Sequence, residues 1–244
     1  MPTLVLLRHG QSQWNLENRF TGWVDVDLTP EGEAQARKGG ELIKAAGIAF
    51  DRAYTSVLTR AIRTCSLALS AAGQAFVPVV KDWRLNERHY GGLTGLNKAE
   101  TAQRHGEEQV KLWRRSYDVP PPPLAAGGEF DFRKDRRYAG VDIPDTESLK
   151  TTLDRVQPYW EEEIEPELMV GETLLIAAHG NSLRAIVKLL FAVPDDAIVG
   201  VEIPTGNPLL IELDQNLTPI KARYLDESRA EELPAPNLHP LGGR

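Results

Sequence analysis

Two stretches of the chain end a run of apolar residues in the same way. Residues 4–7 run into Arg-His-Gly at positions 8–10, and residues 173–178 run into His-Gly at positions 179–180. Short apolar runs of this kind are typical of buried strands. In an open α/β sheet, ligands bind outside the carboxyl ends of the strands. We therefore expect both histidines at one ligand site, although they lie far apart in the sequence.

The pattern of strands and helices predicts the fold class. Strand patterns alternate with helical patterns, which favours an α/β protein: a three-layer sandwich with a largely parallel central sheet flanked by helices. The predicted strands are residues 4–7, 52–55, 77–81, 173–178, 209–213 and 220–224. The predicted helices are residues 29–47, 57–72, 97–115, 146–168 and 182–191. Thr29 and Pro30 form a helix-start signal, whereas Gly39 and Gly40 weaken the same helix.

The domain organisation follows from one irregular segment and a polar end. Residues 116–145 contain four consecutive prolines, two consecutive glycines and many charges. Helix and strand patterns resume on both sides, so we interpret this segment as an insertion near the active site within a single catalytic domain, residues 1–225. Residues 226–244 form a polar C-terminal tail.

Composition excludes several classes of protein. The net charge of −7 argues against nucleic-acid binding, which usually needs a basic face. No stretch has the ~20 apolar residues that a membrane span needs, and the N-terminal residues lack a signal-peptide pattern. Cys65 is the only cysteine, and its helical context predicts a small core residue rather than a nucleophile. We expect a cytoplasmic protein.

Histidines beside arginine indicate phosphate chemistry. A neutral imidazole nitrogen can attack phosphorus, and nearby arginines favour the neutral form while they bind phosphate oxygens. A lone histidine at the end of a strand is more often a structural residue. Arg8 beside His9 and the second His-Gly at position 179 favour the catalytic interpretation.

Further ionisable residues lie in two other segments. Glu87 is the best candidate for the carboxylate that exchanges a proton with an attacking hydroxyl, and His89 ranks below it. Alternatively, Glu87 is a surface partner of Arg84 or Arg88. Arg114 and Arg115 end a predicted helix, where they either clamp a second anionic group or only interact with the helix dipole.

The motifs of other chemistries are absent from the sequence. It contains no GxGxxG after the first strand and no GxxxxGK[ST], which argues against dinucleotide and P-loop sites. It also contains no CxxC, HExxH or GxSxG, which argues against a dedicated zinc site and a serine nucleophile elbow.

Several longer motifs resemble one family. They are LLRHGQSQWN, FTGWVDVDLT, TSVLTRAIRT, NERHYGGLTGLNK, WRRSYDVPPPP, AAHGNSLRA and IPTGNPLLIELD. Together they resemble the cofactor-dependent phosphoglycerate mutases of the histidine phosphatase superfamily, from Thr3 to about Leu225. The Arg-His-Gly motif alone indicates only the superfamily, whereas the later motifs are specific to the mutases.

The resemblance implies a role for each matching residue. His9 matches the phosphorylated histidine, Glu87 the proton donor and acceptor, and His179 a residue that stabilises the transition state. Arg8 and Arg60 match the rest of the catalytic pocket. The positions expected to contact substrate are Arg8, His9, Gly10, Gln11, Ser12, Asn15, Thr21, Gly22, Arg60, Glu87, Arg88, His89, Tyr90, Lys98, Arg114, Arg115, Gly180 and Asn181.

The family resemblance also implies an activity. Its members interconvert 3-phosphoglycerate and 2-phosphoglycerate, are primed by 2,3-bisphosphoglycerate, need no metal, and form homodimers or homotetramers. Three interpretations remain open from the sequence: a mutase, a phosphatase on the same scaffold, and a binding protein without activity. A mutase must exclude water from its phosphohistidine, and residues 116–145 are the predicted cover.

Overall fold

Six strands form one sheet at the centre of the molecule. The structure is a computed structural model that describes residues 1–233. The strands are β1 (Thr3–Arg8), β2 (Arg52–Thr55), β3 (Val79–Lys81), β4 (Thr173–Ala178), β5 (Leu209–Leu213) and β6 (Pro219–Tyr224). Their order in the sheet is β3-β2-β4-β1-β5-β6. The first four pair in parallel, whereas β5 and β6 add antiparallel ladders at one side. The prediction of a largely parallel sheet is confirmed.

Eight α-helices lie within the described residues. They are α1 (Gln13–Leu16), α2 (Pro30–Ala45), α3 (Thr59–Ala71), α4 (Lys98–His105), α5 (Glu107–Arg115), α6 (Leu149–Tyr159), α7 (Glu165–Met169) and α8 (Gly180–Phe191). A π-turn, Trp160–Ile164, joins α6 to α7. As predicted, Thr29 caps α2: its hydroxyl oxygen accepts a hydrogen bond from the Gly32 N–H at 3.1 Å, and Pro30 takes the first helical position.

Two predicted helices differ from those in the structure. The helix expected over 97–115 is divided into α4 and α5 at Gly106, whose φ of 87° lies in the left-handed region. The helix expected from Thr146 begins at Leu149 instead, because Ser148 is the N-cap and accepts a hydrogen bond from the Thr151 N–H at 3.2 Å. The π-turn then interrupts this helix before it reaches Leu168.

Helices cover both faces of the sheet, which produces the predicted three layers. Alternate residues of β1 point to opposite faces, as in any strand. Leu4 and Leu6 belong to one buried cluster, which includes residues of α6 and α8. Val5 and Leu7 belong to a second cluster, which includes residues of α2 and α3. Cys65 lies buried in this second cluster, as predicted, and burial raises the pKa of its thiol to about 12.

The segment of residues 116–145 is irregular, as its composition predicts. It contains two single 3-10 turns, Phe132–Lys134 and Arg136–Tyr138. Beyond β6, a further 3-10 turn forms at Glu227–Arg229, and the Asn207 side-chain amide donates to the Asp226 and Arg229 carbonyls. The remainder of the predicted tail, from residue 234, lies outside the described residues. Within residues 1–233, no helix combines the length and apolar character needed to cross a membrane.

Candidate active site

The sheet brings the two His-Gly sequences together. β1 and β4 are parallel neighbours with Arg8 opposite Ala178, so the residues that follow them leave the sheet at the same edge. The His9 N–H donates to the Ala178 carbonyl at 3.0 Å. The imidazole rings of His9 and His179 lie with centroids 5.0 Å apart and planes at 62°. The pairing of β1 with β4 therefore brings the two imidazole rings next to each other, as expected, whereas their place at one ligand site stays a prediction.

His9 is held in one tautomer. Its Nδ1 lies 2.7 Å from the Gly10 carbonyl oxygen, which can only accept, so Nδ1 carries the proton. The lone pair is then on Nε2. Burial, followed by the charges of Arg60 and Arg8, holds the pKa of His9 well below its usual value. His9 is therefore neutral at pH 7, with Nε2 available as a nucleophile.

Gly10 permits the sharp turn after His9. A Cβ at this position would lie 2.1 Å from the Gly32 carbonyl oxygen in the first turn of α2. The Gly10 N–H donates to the Thr64 hydroxyl at 3.1 Å, which ties the turn to α3 as well. Gly10 therefore shapes the backbone at the site, and it does not itself line the cavity described below.

His179 lies next to His9 and is fully buried. Its Nε2 is 2.7 Å from the Ser56 hydroxyl, and that hydroxyl accepts from the Leu58 N–H at 3.2 Å. Its Nδ1 is buried without a hydrogen-bond partner among the described residues. Burial, with the charge of Arg60 next, lowers the pKa of His179 well below its usual value.

Two arginines are fixed around the histidines by backbone carbonyls. Arg60 donates from Nη1 to the Val24 carbonyl at 2.9 Å and from Nη2 to the Gly22 carbonyl at 2.7 Å. Burial lowers the pKa of Arg60 to about 10, an effect that the charge of Glu87 partly opposes, so it remains a cation at pH 7. Arg8 donates from Nη1 to the Ile203 carbonyl at 2.8 Å.

Glu87 is oriented by backbone N–H groups. Its Oε1 accepts from the Arg88 N–H at 2.7 Å and from the Asn181 N–H at 3.1 Å. The second donor belongs to the first turn of α8, where the helix dipole favours a negative charge. The carboxylate is therefore placed beside the histidines at the start of the helix that follows His179.

A buried ion pair supports the loop that carries Glu87. Arg155 Nε lies 2.6 Å from Glu147 Oε1, and both side chains are almost completely buried. Arg155 Nη2 also donates to the Glu87 carbonyl at 3.0 Å, and Glu147 Oε2 accepts from the His89 N–H at 2.7 Å. No sequence pattern identifies this pair, because Glu147 and Arg155 bind backbone groups that lie 58 and 68 positions earlier in the chain.

A cationic cavity opens over these groups. Among its described lining residues are seven cationic side chains and two carboxylates. The lining residues are Arg8, His9, Asn15, Arg19, Thr21, Gly22, Arg60, Glu87, Tyr90, Lys98, Arg114, Arg115, Gly180, Asn181, Arg184 and Glu202. Such an excess of positive charge suits a ligand with several negative charges.

Six of the residues predicted at the site do not line this cavity: Gly10, Gln11, Ser12, Arg88, His89 and His179. Gln11 and Ser12 belong to the turn before α1. Ser12 is the N-cap of that helix, and the Gln11 side-chain oxygen accepts a hydrogen bond from the Thr29 hydroxyl at 2.9 Å. Arg88 lies behind Arg114, whose carbonyl accepts from its Nη2 at 2.8 Å.

His89 faces away from the cavity, into an aromatic cluster. Its ring centroid lies 5.6 Å from that of Trp23 and 5.6 Å from that of Phe132. Its Nδ1 accepts from the Gly91 N–H at 3.0 Å. The structure thus places His89 where it supports the loop of Glu87, rather than where it could contact a ligand in the cavity.

Residues 116–145, all of which the structure describes, contribute no residue to the cavity lining. They pack instead on the loops that form the cavity. Tyr138 accepts a hydrogen bond at its hydroxyl from the Asn86 amide at 3.0 Å, and the Pro122 carbonyl accepts from the Gly92 N–H at 2.7 Å. These contacts attach the segment to the loops of Asn86 and Gly92, and its role as a cover stays a prediction.

Three residues of the cavity lining are not predicted from the sequence: Arg19, Arg184 and Glu202. Arg184 had a usable signal, because it follows Asn181 by three positions and therefore shares its face of α8. Its Nη1 donates to the Asn181 side-chain oxygen at 3.0 Å. Arg19 and Glu202 come from loops, where no periodicity marks the side chains that face a ligand.

The unpaired donors in the site identify the ligand class. Arg8 Nε and Arg184 Nε belong to two side chains that line the cavity, and both atoms are buried and lack a hydrogen-bond partner within the described part of the chain. Arginine nitrogens only donate, so they fit an acceptor such as phosphate or carboxylate. Within residues 1–233, there is no cluster of three or more His, Cys, Asp or Glu side chains that could hold a metal ion.

Comparison with known proteins places this fold and site in a superfamily. The sequence model of the histidine phosphatase superfamily (branch 1) matches residues 4–223, and the chain belongs to that superfamily. A putative alpha-ribazole-5'-P phosphatase from Escherichia coli K-12 has a similar structure, with a TM-score of 0.69, 22% identity, and coverage of 92% of this chain and 96% of that one. YhfR from Bacillus stearothermophilus has a TM-score of 0.68 at 24% identity and covers 89% of this chain and 93% of its own. These two likenesses concern the fold alone.

Closer relatives narrow the assignment. A protein of Caulobacter sp. (strain K31) is 80% identical over 235 residues, which is 96% of this chain and 99% of the relative. Relatives from Hyphomonas neptunium and Zymomonas mobilis are 64% and 63% identical, over 96% and 93% of this chain and 99% and 100% of their own lengths. All three are named 2,3-bisphosphoglycerate-dependent phosphoglycerate mutases. Within the superfamily, the chain belongs to this mutase family, and the resemblance expected from its motifs is confirmed.

Proposed function

We propose that this chain interconverts 3-phosphoglycerate and 2-phosphoglycerate through a phosphohistidine at His9, primed by 2,3-bisphosphoglycerate. The observation that carries the proposal is the state of His9. It is neutral, its Nδ1 proton is bound by Gly10, and it lies in a cavity lined by seven cationic side chains. The names of relatives up to 80% identical support the choice of substrate.

The cavity suits the proposed primer. Bisphosphoglycerate carries two phosphates and a carboxylate, and the unpaired arginine nitrogens are donors for such acceptors. When bound, it supplies the phosphoryl group that charges the enzyme. His9 Nε2 would form the new N–P bond as an O–P bond breaks, and the released monophosphoglycerate oxygen would take a proton from the Glu87 carboxyl group. Arg8 and Arg60 would neutralise the charge that develops on the phosphoryl oxygens.

In the proposed transfer, phospho-His9 gives its phosphoryl group to the free hydroxyl of a monophosphoglycerate. The N–P bond breaks, an O–P bond forms, and the Glu87 carboxylate takes the hydroxyl proton. In the return step His9 takes the other phosphoryl group, and Glu87 gives its proton back to the oxygen that is released. The sum of both steps is isomerisation, with no net consumption of protons or phosphate.

The contacts of His179 suit a donor to the transferring phosphoryl group. If the Ser56 hydroxyl donates to Nε2, the proton of His179 is on Nδ1, which has no other partner among the described residues. The hydroxyl can donate in this way because it already accepts from the Leu58 N–H. Ser56 would then select the tautomer that leaves a donor for a phosphoryl oxygen.

The family resemblance extends the proposal beyond the site. We propose a homodimer or homotetramer, a cytoplasmic location and catalysis without a metal ion. For residues 116–145, the contacts of Tyr138 and Pro122 support a role in holding the loops of Asn86 and Gly92 in place. Such support restricts the access of water by keeping the cavity closed on that side.

The experiment is a mutase assay on wild type and Glu87→Gln. Wild type should convert 3-phosphoglycerate to 2-phosphoglycerate only when catalytic 2,3-bisphosphoglycerate is present. Glu87→Gln keeps an oxygen for the Arg88 and Asn181 N–H groups but loses its basicity, so we expect kcat to fall by about 10²–10⁴-fold. Glu162→Gln, an exposed carboxylate paired with Arg84, is the matched control. Release of inorganic phosphate in place of 2-phosphoglycerate would instead identify a phosphatase.

A further inference from the structure

One of the two cavity carboxylates has no role in the proposed mechanism. Glu87 exchanges the proton, but Glu202 also lines the cavity, in a site that otherwise selects for anions. A negative charge there opposes the binding of a phosphorylated ligand. The placement of Glu202 therefore needs an explanation, and the inference below rests on the proposed function.

The backbone at Glu202 is fixed by the site itself. The Tyr224 hydroxyl donates to the Glu202 carbonyl at 3.2 Å, and Arg8 Nη1 donates to the next carbonyl, that of Ile203, at 2.8 Å. The side chain is thus attached to a loop that a catalytic-pocket arginine holds in position. A surface side chain that reached the cavity by chance would lack this anchoring.

Glu202 forms an ion pair with Arg115 at the end of α5. Both side chains line the cavity and are partly exposed, at 40% for Glu202 and 29% for Arg115. Arg184 lies within electrostatic reach, since the charge of Glu202 raises its pKa while burial, as the larger effect, lowers it to about 10. Arg115 therefore has a partner in the protein before any ligand arrives.

We propose that Glu202 determines specificity by competing with the ligand for Arg115, so that it weakens the binding of 2,3-bisphosphoglycerate more than that of a monophosphoglycerate. A ligand that takes Arg115 must break the ion pair and leave a carboxylate beside its own charges. The repulsion grows with the charge of the ligand, and the bisphosphoglycerate carries a second phosphate. Glu202 thus prevents 2,3-bisphosphoglycerate from displacing the monophosphoglycerate substrate from the site.

The test measures two constants in the mutase assay at low ionic strength. Relative to wild type, Glu202→Gln should lower the half-saturating concentration of 2,3-bisphosphoglycerate by about fivefold and the KM for 3-phosphoglycerate by about twofold, in the range expected for a partly exposed ion pair. Both gains should shrink at high salt, because salt screens exposed charges. Glu212→Gln, which removes a carboxylate paired with Lys221 outside the cavity lining, should change neither constant.

A second background tests whether Glu202 acts through Arg115. In Arg115→Gln the competition for Arg115 no longer exists and only the direct repulsion between Glu202 and the ligand remains, so adding Glu202→Gln should improve binding less than it does in wild type. The proposal is wrong if Glu202→Gln leaves both constants unchanged, raises them, or improves binding equally in both backgrounds.

Calorimetric titration of the same two ligands on His9→Ala and on the double variant His9→Ala, Glu202→Gln gives the binding constants without phosphoryl transfer. An inactive wild type would therefore count against the proposed function, while the titration still decides the role of Glu202.

Discussion

At the scale of single residues, burial controls the histidines of the site. His9, His89 and His179 are each at most 3% exposed, and for each of them burial is the largest cause of a lowered pKa. Each imidazole is therefore kept neutral, but the ring nitrogens of the three histidines have different partners. His9 leaves a nitrogen free, His179 is bound by Ser56, and His89 supports a loop through the Gly91 N–H.

The neutral His89 predicts a specific pH dependence of stability. Its pKa is lowered to about 4, by burial first and then by the charge of Arg155, against the opposing charges of Glu147 and Asp145. In the unfolded chain it titrates near 6.5, so between these values the unfolded state binds a proton that the folded state does not. The stability it contributes is complete above pH 6.5 and is lost as the pH falls towards 4, by roughly 3 kcal/mol.

The variant His89→Asn tests this assignment, since its amide oxygen can still accept from the Gly91 N–H. We expect the free energy of unfolding of wild type, from urea denaturation at pH 7 and pH 5, to decrease more steeply with acid than that of the variant. His9 and His179 titrate in both proteins and cancel in the comparison. His105→Asn, an exposed position on α4, is the control. Equal pH slopes in wild type and His89→Asn would contradict the account.

At the scale of elements, the two glycines in α2 show how packing overrides helix propensity. Gly39 and Gly40 weaken the helix as a local pattern, yet both are buried in its middle. A Cβ at Gly40 would lie 2.2 Å from the Ala68 carbonyl oxygen of α3. The glycine therefore allows α2 and α3 to approach closely on one face of the sheet.

Gly40→Ala should consequently destabilise the protein, although alanine favours an isolated helix by about 1 kcal/mol. We expect the clash with α3 to outweigh that gain and to lower the free energy of unfolding by about 1–3 kcal/mol, as for other overpacked cores. Chemical denaturation followed by tryptophan fluorescence measures the change. Glu41→Ala, an exposed neighbour in the same helix, should stay within about 0.5 kcal/mol of wild type. A more stable Gly40→Ala protein would show that the two helices can separate at low cost.

At the same scale, the sequence predicted strands better than helix ends. The strands 52–55, 173–178 and 209–213 agree with the structure at both ends, because their apolar runs are bounded by polar or turn residues. Helix starts depend on caps: Thr29 and Pro30 predict the start of α2, whereas the helix predicted from residue 146 begins after the Ser148 cap. Leu149, the first residue of that helix, is buried in the core.

At the scale of the whole molecule, the sheet topology made most of the site predictable. The alternation of strands and helices predicts parallel strands whose carboxyl ends share one edge of the sheet, and the observed pairing of β1 with β4 brings His9 and His179 together. Other parts of the site could not be predicted, because they depend on how loops pack. The Arg155–Glu147 pair, Arg19 and Glu202 reach the site from segments that no periodic pattern relates to it.

The distribution of charge also belongs to this scale. The chain carries a net charge of −7, but the cavity gathers seven cations and two carboxylates among its described lining residues. A negative total charge is thus compatible with a local cationic cavity that suits a strongly anionic small ligand. This contrast is why the net charge of the whole chain could not locate the site.

The central claim is that His9 Nε2 carries the phosphoryl group. It is tested most directly by intact mass spectrometry of wild type and His9→Ala after incubation with 2,3-bisphosphoglycerate, followed by addition of 3-phosphoglycerate. The account predicts that wild type alone gains one acid-labile phosphoryl group, and that 2-phosphoglycerate then appears while His9 takes a phosphoryl group back at the end of each cycle. Absence of the group on wild type, or equal labelling of His9→Ala, would contradict it.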